Sequence, residues 1–158
     1  MIPSEVQAAV VEALHAVELP EELHDEQRDL SPLILSALRE RLGADFDVFP
    51  AVSGQPRQAR CVRLFGTTFW PDFAIHRRGE NEGVVAVEIK LVKPGRQVAS
   101  AISQAFGQAL IYGLVYQKVF VLIVDRGRAR PSNHEHDAAM IERLSQRDIS
   151  VVFRSTAR

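Results

Sequence analysis

Two acidic residues and a lysine are spaced along this chain in a pattern that suits chemistry at phosphate. Pro71-Asp72 is followed, after fifteen intervening residues, by Glu88-Ile89-Lys90. Carboxylate oxygens are the ligands that Mg2+ prefers, and one or two suffice because the ion keeps several waters. Such an ion polarises a phosphoryl oxygen and acidifies a bound water, while a nearby ammonium stabilises developing charge. These side chains have the parts needed for metal-assisted cleavage of a phosphodiester.

The second acid and the lysine lie in an apolar run, residues 84–91, which predicts a strand. Side chains alternate between the two faces of a strand, so Glu88 and Lys90 share one face. Burying an unpaired charge costs several kcal/mol, so such groups pair with each other, bind a metal or reach solvent. A solvent-facing ion pair on a half-exposed sheet is the alternative explanation for these two residues alone.

Residues 70–75 predict a second short strand, with Pro71 at its start or on an edge. The polar, glycine-containing residues 76–83 then lead into the Glu88 strand, which predicts a hairpin. The hairpin brings Asp72 beside Glu88, although the sequence leaves its register open. His76 either reaches the site or merely begins the loop.

A helix is predicted for about residues 98–116, which contain no proline. Gln104, Gln108 and Tyr112 follow at intervals of four and share one helical face. We expect them to line a groove beside the carboxylates, where they orient the lysine or contact phosphate. The alternative is a polar stripe that is simply solvated.

Together these segments resemble the PD-(D/E)xK nuclease superfamily, which has the restriction-endonuclease-like fold. Its two signature pieces are similar to Pro71-Asp72 and Glu88-Ile89-Lys90, and the Gln-x-x-x-Tyr motif of RecB-like members is similar to residues 108–112. The resemblance covers about residues 31–125.

The resemblance implies a role for each matched residue. Asp72, Glu88 and the main-chain carbonyl of Ile89 would hold Mg2+ or Mn2+, and Lys90 would orient or activate the attacking water. Gln108 with Tyr112 would position the substrate or the lysine.

Many members of this superfamily carry a further acid on the first core helix. Here Ser31-Pro32 predicts a helix start, with Ser31 as the cap, and the helix would stop at Gly43. Its one acid is Glu40. Glu26 and Asp29 lie just upstream and would serve if the helix began earlier.

A chain of 158 residues is expected to form a single domain. We expect an α/β fold in which helices flank a mixed sheet. The resemblance implies an αβββαβ core over residues 31–125, preceded by an acidic helical extension over residues 1–30. A C-terminal αβ unit would follow over residues 126–158.

Composition bears on location as well. No apolar stretch approaches the length of about 18 residues that a membrane span needs, and no signal peptide is visible. The single cysteine, Cys61, excludes an intramolecular disulfide and fits a reducing compartment. We therefore expect a cytoplasmic protein without membrane contact.

The near-neutral net charge hides an asymmetry. Residues 1–49 hold eleven acids and three bases, a balance of −8, whereas residues 50–158 hold nine acids and sixteen bases, a balance of +7. Arginine suits bidentate phosphate contacts, although a GC-rich genome would also favour it. The basic part is typical of a nucleic-acid groove. Its candidate contacts to nucleic acid are Arg77, Arg78, Lys93, Arg96 and Gln104.

These observations favour a metal-dependent DNA endonuclease or exonuclease in repair, recombination, restriction or a mobile element. A homodimer cutting both strands is the expected assembly by analogy. The alternative function is a non-catalytic module of the same fold that binds nucleic acid or a protein partner. A second metal site at His134 and His136 is disfavoured, because their spacing places them on different helical faces.

Overall fold

The computed structural model describes residues 4–51, 61–80, 83–93, 98–126 and 134–156, the last range without the side chains of residues 134–136. The helices and strands are α1 (Ser4–Ala16), α2 (Ser31–Leu42), β1 (Phe46–Pro50), β2 (Val62–Leu64), β3 (Thr67–Phe69), β4 (Phe73–Arg77), β5 (Gly83–Val92), α3 (Val98–Tyr112), β6 (Lys118–Asp125), α4 (His134–Ser145) and β7 (Ile149–Ser155). A π-helical turn (Glu26–Leu30) leads directly into α2, and a 3-10 turn (Gly43–Asp45) follows it.

Five strands form one mixed sheet in the order β1-β4-β5-β6-β7. The pairs β1–β4 and β4–β5 are antiparallel, whereas β5–β6 and β6–β7 are parallel. Each parallel connection carries a helix, as crossover connections require. The predicted α/β class, with a mixed sheet flanked by helices, is confirmed. The strands β2 and β3 form a separate small hairpin.

Both faces of β5 are buried, which explains its almost continuous apolar sequence. Val85, Val87 and Ile89 face a core that is built with α1 and α2. Ala86 faces a second core built with α3. Glu88 and Lys90 share the α3 side with Ala86 because strand side chains alternate. Glu88 is thus buried within the sheet, whereas Lys90 is only partly buried.

Helix α1 belongs to the first of these cores. Val10, Ala13 and Leu14 have no exposed surface. The C-terminal end of α1 is held from the far edge of the sheet, where the Arg154 guanidinium on β7 donates to the carbonyls of Leu14 and Val17. None of the helices in the described part of the chain is long and apolar enough to cross a membrane.

Several predicted boundaries are wrong. The strand expected at residues 70–75 begins at Phe73 and continues through His76 and Arg77, because β4 pairs with β1 along its whole length. His76 therefore lies within the strand, buried with its ring edge-on to Phe49 at 5.1 Å between centroids. Helix α3 ends at Tyr112 instead of Tyr116, since Gly113 begins a turn.

Candidate active site

The β4–β5 hairpin sets the two motif acids opposite each other. Phe73 pairs with Val87 and Ala74 with Ala86. Extending this antiparallel register by one residue brings Asp72, just before β4, across from Glu88. Both side chains then lie on the α3 side of the sheet. The structure thus supplies the register that the sequence left open.

Asp72 is held at three of its atoms. Its Oδ2 accepts a 2.7 Å hydrogen bond from the Ile89 backbone N–H, and its Oδ1 accepts one of 2.9 Å from Gln27 Nε2. Its backbone carbonyl accepts from the Ala51 N–H at 2.9 Å. A carboxylate offers about four lone-pair sites, so this arrangement orients Asp72 and leaves sites for another ligand.

Glu88 is almost completely buried, with 3% of its surface exposed. The Tyr112 hydroxyl lies nearby, but its one proton is donated to the Trp70 carbonyl at 2.8 Å. Glu88 Oε2 is left without a hydrogen-bond partner among the described residues. A buried carboxylate in this state needs either a proton or a cation.

The pKa values of Asp72 and Glu88 reflect the burial of both carboxyl groups and their proximity to each other. Burial and, to a lesser extent, the charge of Asp72 together raise the pKa of Glu88 to about 8, against the opposing charge of Lys90. Burial also raises the pKa of Asp72 to about 6, while the hydrogen bond from Ile89 opposes that shift. Such shifts in neighbouring acids are typical of functional sites.

Lys90 lies two residues beyond Glu88 on the same face, with 15% of its side chain exposed. Its Nζ is 3.5 Å from Oε2 of Glu26, whose side chain is 27% exposed. When ionised, Glu26, Asp72 and Glu88 carry three negative charges against one positive charge on Lys90. The remaining −2 is the charge that a divalent cation neutralises.

The π-helical turn brings Glu26 into the site. Asp25 caps this turn by accepting from the Arg28 N–H, and the Ser31 N–H donates to the Glu26 carbonyl. The helical path therefore begins five residues before Ser31, and the prediction of Ser31 as the helix cap is wrong. Short π-helical turns are frequently found at functional sites.

The two other acids considered for this helix lie elsewhere. Asp29 accepts backbone hydrogen bonds from His24 and Asp25, which lower the pKa of its carboxyl. It therefore stabilises the loop before the turn. Glu40 is exposed near the end of α2. Of the three candidates, only Glu26 contacts a motif residue.

Helix α3 reaches the site through Tyr112, which has no exposed surface. Burial raises the pKa of its phenol above the ordinary value, so the hydroxyl keeps the proton that it donates to Trp70. Gln108 Nε2 donates weakly to this hydroxyl at 3.5 Å, and Gln108 Oε1 is buried without a partner among the described residues. Tyr112 thus braces the segment before Asp72 and does not line an open groove as expected.

The predicted nucleic-acid contacts are scattered. Arg77 ends β4 five residues from Asp72, about 17 Å along the strand, and Arg78 pairs with Asp47 at 3.4 Å. Gln104 is exposed on α3, one turn before Gln108. Arg96 lies outside the described residues.

Among the basic candidates that the structure describes, Lys93 is the one that lies beside the site. It lines an open groove of about 280 Å3 together with His24, Asp25, Glu26, Gln27 and Leu91. Because Glu26 and Gln27 contact Lys90 and Asp72, the groove borders the acidic centre. A strand of nucleic acid that followed the groove would pass beside these acids.

Gln27 is the site residue that the sequence did not reveal. It lies 45 positions before its partner Asp72, and no spacing rule connects them. The neighbouring Glu26 is a candidate because it is an acid close to the predicted helix, whereas no sequence pattern marks the glutamine that follows it. Only the path of the π-helical turn shows that both side chains face the hairpin.

The side chains at the candidate site suit a hard divalent cation such as Mg2+. Asp72 and Glu88 offer carboxylate oxygens, and Glu88 Oε2 has no other partner among the described residues. The N–H and C=O of a strand residue point to the same side, so the Ile89 carbonyl is directed to the side of β5 on which its N–H donates to Asp72. No group of three or more His, Cys, Asp or Glu side chains with metal-binding geometry is found within the described ranges. A Mg2+ site with few protein ligands and several waters requires no such group.

Comparisons of the chain with protein-family models, with curated proteins and with solved structures found no match.

Proposed function

We propose that this protein is a metal-dependent nuclease that hydrolyses phosphodiester bonds in DNA. The observation that carries the proposal is the pairing of Asp72 with a buried Glu88 whose Oε2 has no partner among the described residues. Glu88 lies between the apolar residues Val87 and Ile89 on β5, so the packing of this strand does not require an acid there. The placement of Asp72 and Glu88 is explained if a cation completes the site.

The element order adds support. Helix α2, strands β1, β4 and β5, helix α3 and strand β6 follow one another as an αβββαβ core would. The motif acids and lysine lie on the central antiparallel hairpin of this core. We therefore propose the restriction-endonuclease-like fold for the chain.

Asp72, Glu88 and the Ile89 carbonyl would hold Mg2+ or Mn2+. When bound, the ion would polarise a phosphoryl oxygen and acidify a water. Gln27 and the Ile89 N–H keep the Asp72 carboxylate oriented, so little reorganisation is needed during the reaction.

Lys90 would orient the attacking water or stabilise charge on the phosphate. Its ammonium lies beside Glu26, which holds it near the acids and limits its motion. Tyr112 acts indirectly, by holding the Trp70 carbonyl and hence the segment that leads to Asp72. Gln108 supports that hydroxyl and is a positioning residue in the same sense.

The test is cleavage of labelled duplex, single-stranded and branched DNA in Mg2+, Mn2+ or EDTA, comparing the native chain with Asp72→Ala. We expect cutting that requires the metal and is lost in the variant. Sedimentation velocity on the same samples tests the homodimer that is expected by analogy. Tight DNA binding with no cutting on any substrate would contradict the enzyme and favour a non-catalytic binding module.

A further inference from the structure

A hairpin beside the proposed active site ends in an exposed aromatic side chain. Strands β2 and β3 pair Leu64 with Thr67, which leaves Phe65 and Gly66 as a two-residue loop. Their φ angles are +49° and +78°. Positive φ at both central residues is typical of a type I′ turn, whose twist matches that of the strands.

Phenylalanine is an unfavourable residue for this turn. Type I′ turns favour asparagine, aspartate or glycine at the first position, because a bulky side chain rarely adopts positive φ. Phe65 is 96% exposed, so packing within the chain does not offset the strain. Strained residues of this kind cluster at functional sites.

The hairpin is attached to the active site on the same side of the sheet as the motif acids. Val62, Phe69 and Trp70 pack into the core formed with α3. The chain leaves β3 at Phe69 and reaches Asp72 three residues later. Asp72 lies seven positions after Phe65, a span of at most about 24 Å. The loop is therefore close enough to contact a strand bound at the acids.

The charge of this segment suits a polyanion. Residues 48–71 contain no aspartate or glutamate and three arginines. Of these arginines, Arg63 lies on β2, exposed and without an ion pair among the described residues. Surfaces that bind single-stranded nucleic acid combine such positive charge with aromatic rings on which bases stack.

We propose that Phe65 stacks on an unpaired base of the nucleic acid near the bond that is cut. The preferred substrates are then strands with accessible bases: single strands, forks and junctions, in preference to fully paired duplex. This inference rests on the proposed function in one respect, that the substrate is a nucleic acid. A base in a closed duplex has no free face for the ring.

The test measures binding without catalysis, by fluorescence anisotropy in EDTA, to a forked oligonucleotide and to the matched full duplex. Phe65→Asn places the favoured residue in the turn and keeps the hairpin folded. We expect it to weaken binding to the fork about tenfold and to leave duplex binding unchanged, since stacking contributes an effect of this order per base. Phe65→Trp should retain the preference for the fork, and Phe65→Leu should lose it.

Phe153→Thr is the matched control, because Phe153 is also an exposed phenylalanine, 57% exposed, but lies on the edge strand β7 and not on the β2–β3 hairpin. Fork binding by Phe65→Asn equal to that of the native chain would overturn the inference. Native-like binding by Phe65→Leu would also overturn it, because an apolar contact without a ring would then suffice. Fork binding that depends on Phe65 in a chain that cuts nothing would uphold the inference and contradict the nuclease. Metal-dependent cutting with fork binding that does not depend on Phe65 would support the nuclease and contradict the inference.

Discussion

Gln27 Nε2 donates a 2.9 Å hydrogen bond to Oδ1 of Asp72, so the π-helical turn before α2 orients an acid on the central hairpin. The neighbouring residue, Glu26, lies 3.5 Å from the Lys90 ammonium. Two consecutive residues of one turn thus contact two of the three motif side chains. The acidic N-terminal part of the chain is a component of the site through this turn.

We predict that Gln27→Ala weakens the affinity for Mn2+ by about tenfold, because residues that orient a metal ligand typically have effects of 10–100-fold. Isothermal titration calorimetry with Mn2+ measures this directly. Gln117→Ala removes an exposed glutamine between α3 and β6 and is the control. Equal Mn2+ affinity in Gln27→Ala and the native chain would show that the hydrogen bond to Asp72 does not matter for the metal.

The raised pKa values predict an unusual dependence of stability on pH. The pKa of Asp72 is raised from 3.8 to about 6 and that of Glu88 from 4.5 to about 8. The folded state therefore binds these protons more tightly than the unfolded state does. Their stabilising contribution is complete below about pH 4 and is lost as the pH rises through 6 and then 8.

Glu88→Gln removes the larger of these effects without changing the size of the side chain. In EDTA at pH 9 we expect it to raise the free energy of unfolding by about 1–3 kcal/mol relative to the native chain. At pH 5 the difference should be small. Urea denaturation at both pH values tests this, with exposed Glu40→Gln as control. A Glu88→Gln effect that is the same at pH 5 and pH 9 would refute the raised pKa.

The hydrogen bond from Tyr112 on α3 to the Trp70 carbonyl predicts that two neighbouring substitutions on this helix differ in their effect on stability. Tyr112→Phe removes the 2.8 Å hydrogen bond to the Trp70 carbonyl and should lower the free energy of unfolding by about 1–2 kcal/mol. Gln108→Met removes only a 3.5 Å contact and should change it by less than about 0.5 kcal/mol. Urea denaturation of both variants decides the matter. Equal effects would argue against Tyr112 as the brace.

Two glycines offer a test of the packing between β5 and the turn after α3. A Cβ at Gly83 would lie 2.3 Å from the Tyr116 ring, whereas one at Gly107 would meet nothing within 4 Å. Gly83→Ala should therefore destabilise the fold by about 1–3 kcal/mol. Gly107→Ala should stabilise it by about 0.5–1 kcal/mol, because glycine is unfavourable inside a helix. Thermal melts that rank the two variants the other way would contradict this packing.

The features that the sequence predicted correctly follow from the alternation of side chains along strands and from the residues that form turns. Glu88 and Lys90 share a face because strand side chains alternate, and a glycine-containing loop joins the β4 and β5 strands into the expected hairpin. The five-stranded mixed sheet follows from the apolar runs and from the helices that separate the parallel strands. These features depend on local pattern, which a sequence shows directly.

Features that depend on tertiary contacts were not predictable in the same way. The π-helical turn extends the helical path to the residues before Ser31. The sequence signals that mark the start of a helix do not predict such a turn. The β3 strand has three residues, too few to show a period. Tyr112 lies on the expected side of α3, but its burial and its bond to Trp70 depend on how closely the helix packs against the hairpin.

The most direct test of the proposed nuclease activity is the single-turnover cleavage rate of the preferred DNA at saturating Mg2+ for the native chain, Lys90→Ala and Lys93→Ala. Lys93 lies three residues farther along the chain, beyond β5, and lines the neighbouring groove, so it controls for loss of one positive charge. We predict that Lys90→Ala cuts at least about 100-fold more slowly with unchanged DNA affinity, as expected for general acid–base or electrostatic catalysis. Lys93→Ala should cut at a rate within a few-fold of the native rate. Cleavage by Lys90→Ala at the native rate, or no Mg2+-dependent cleavage by the native chain, would contradict the proposed active site.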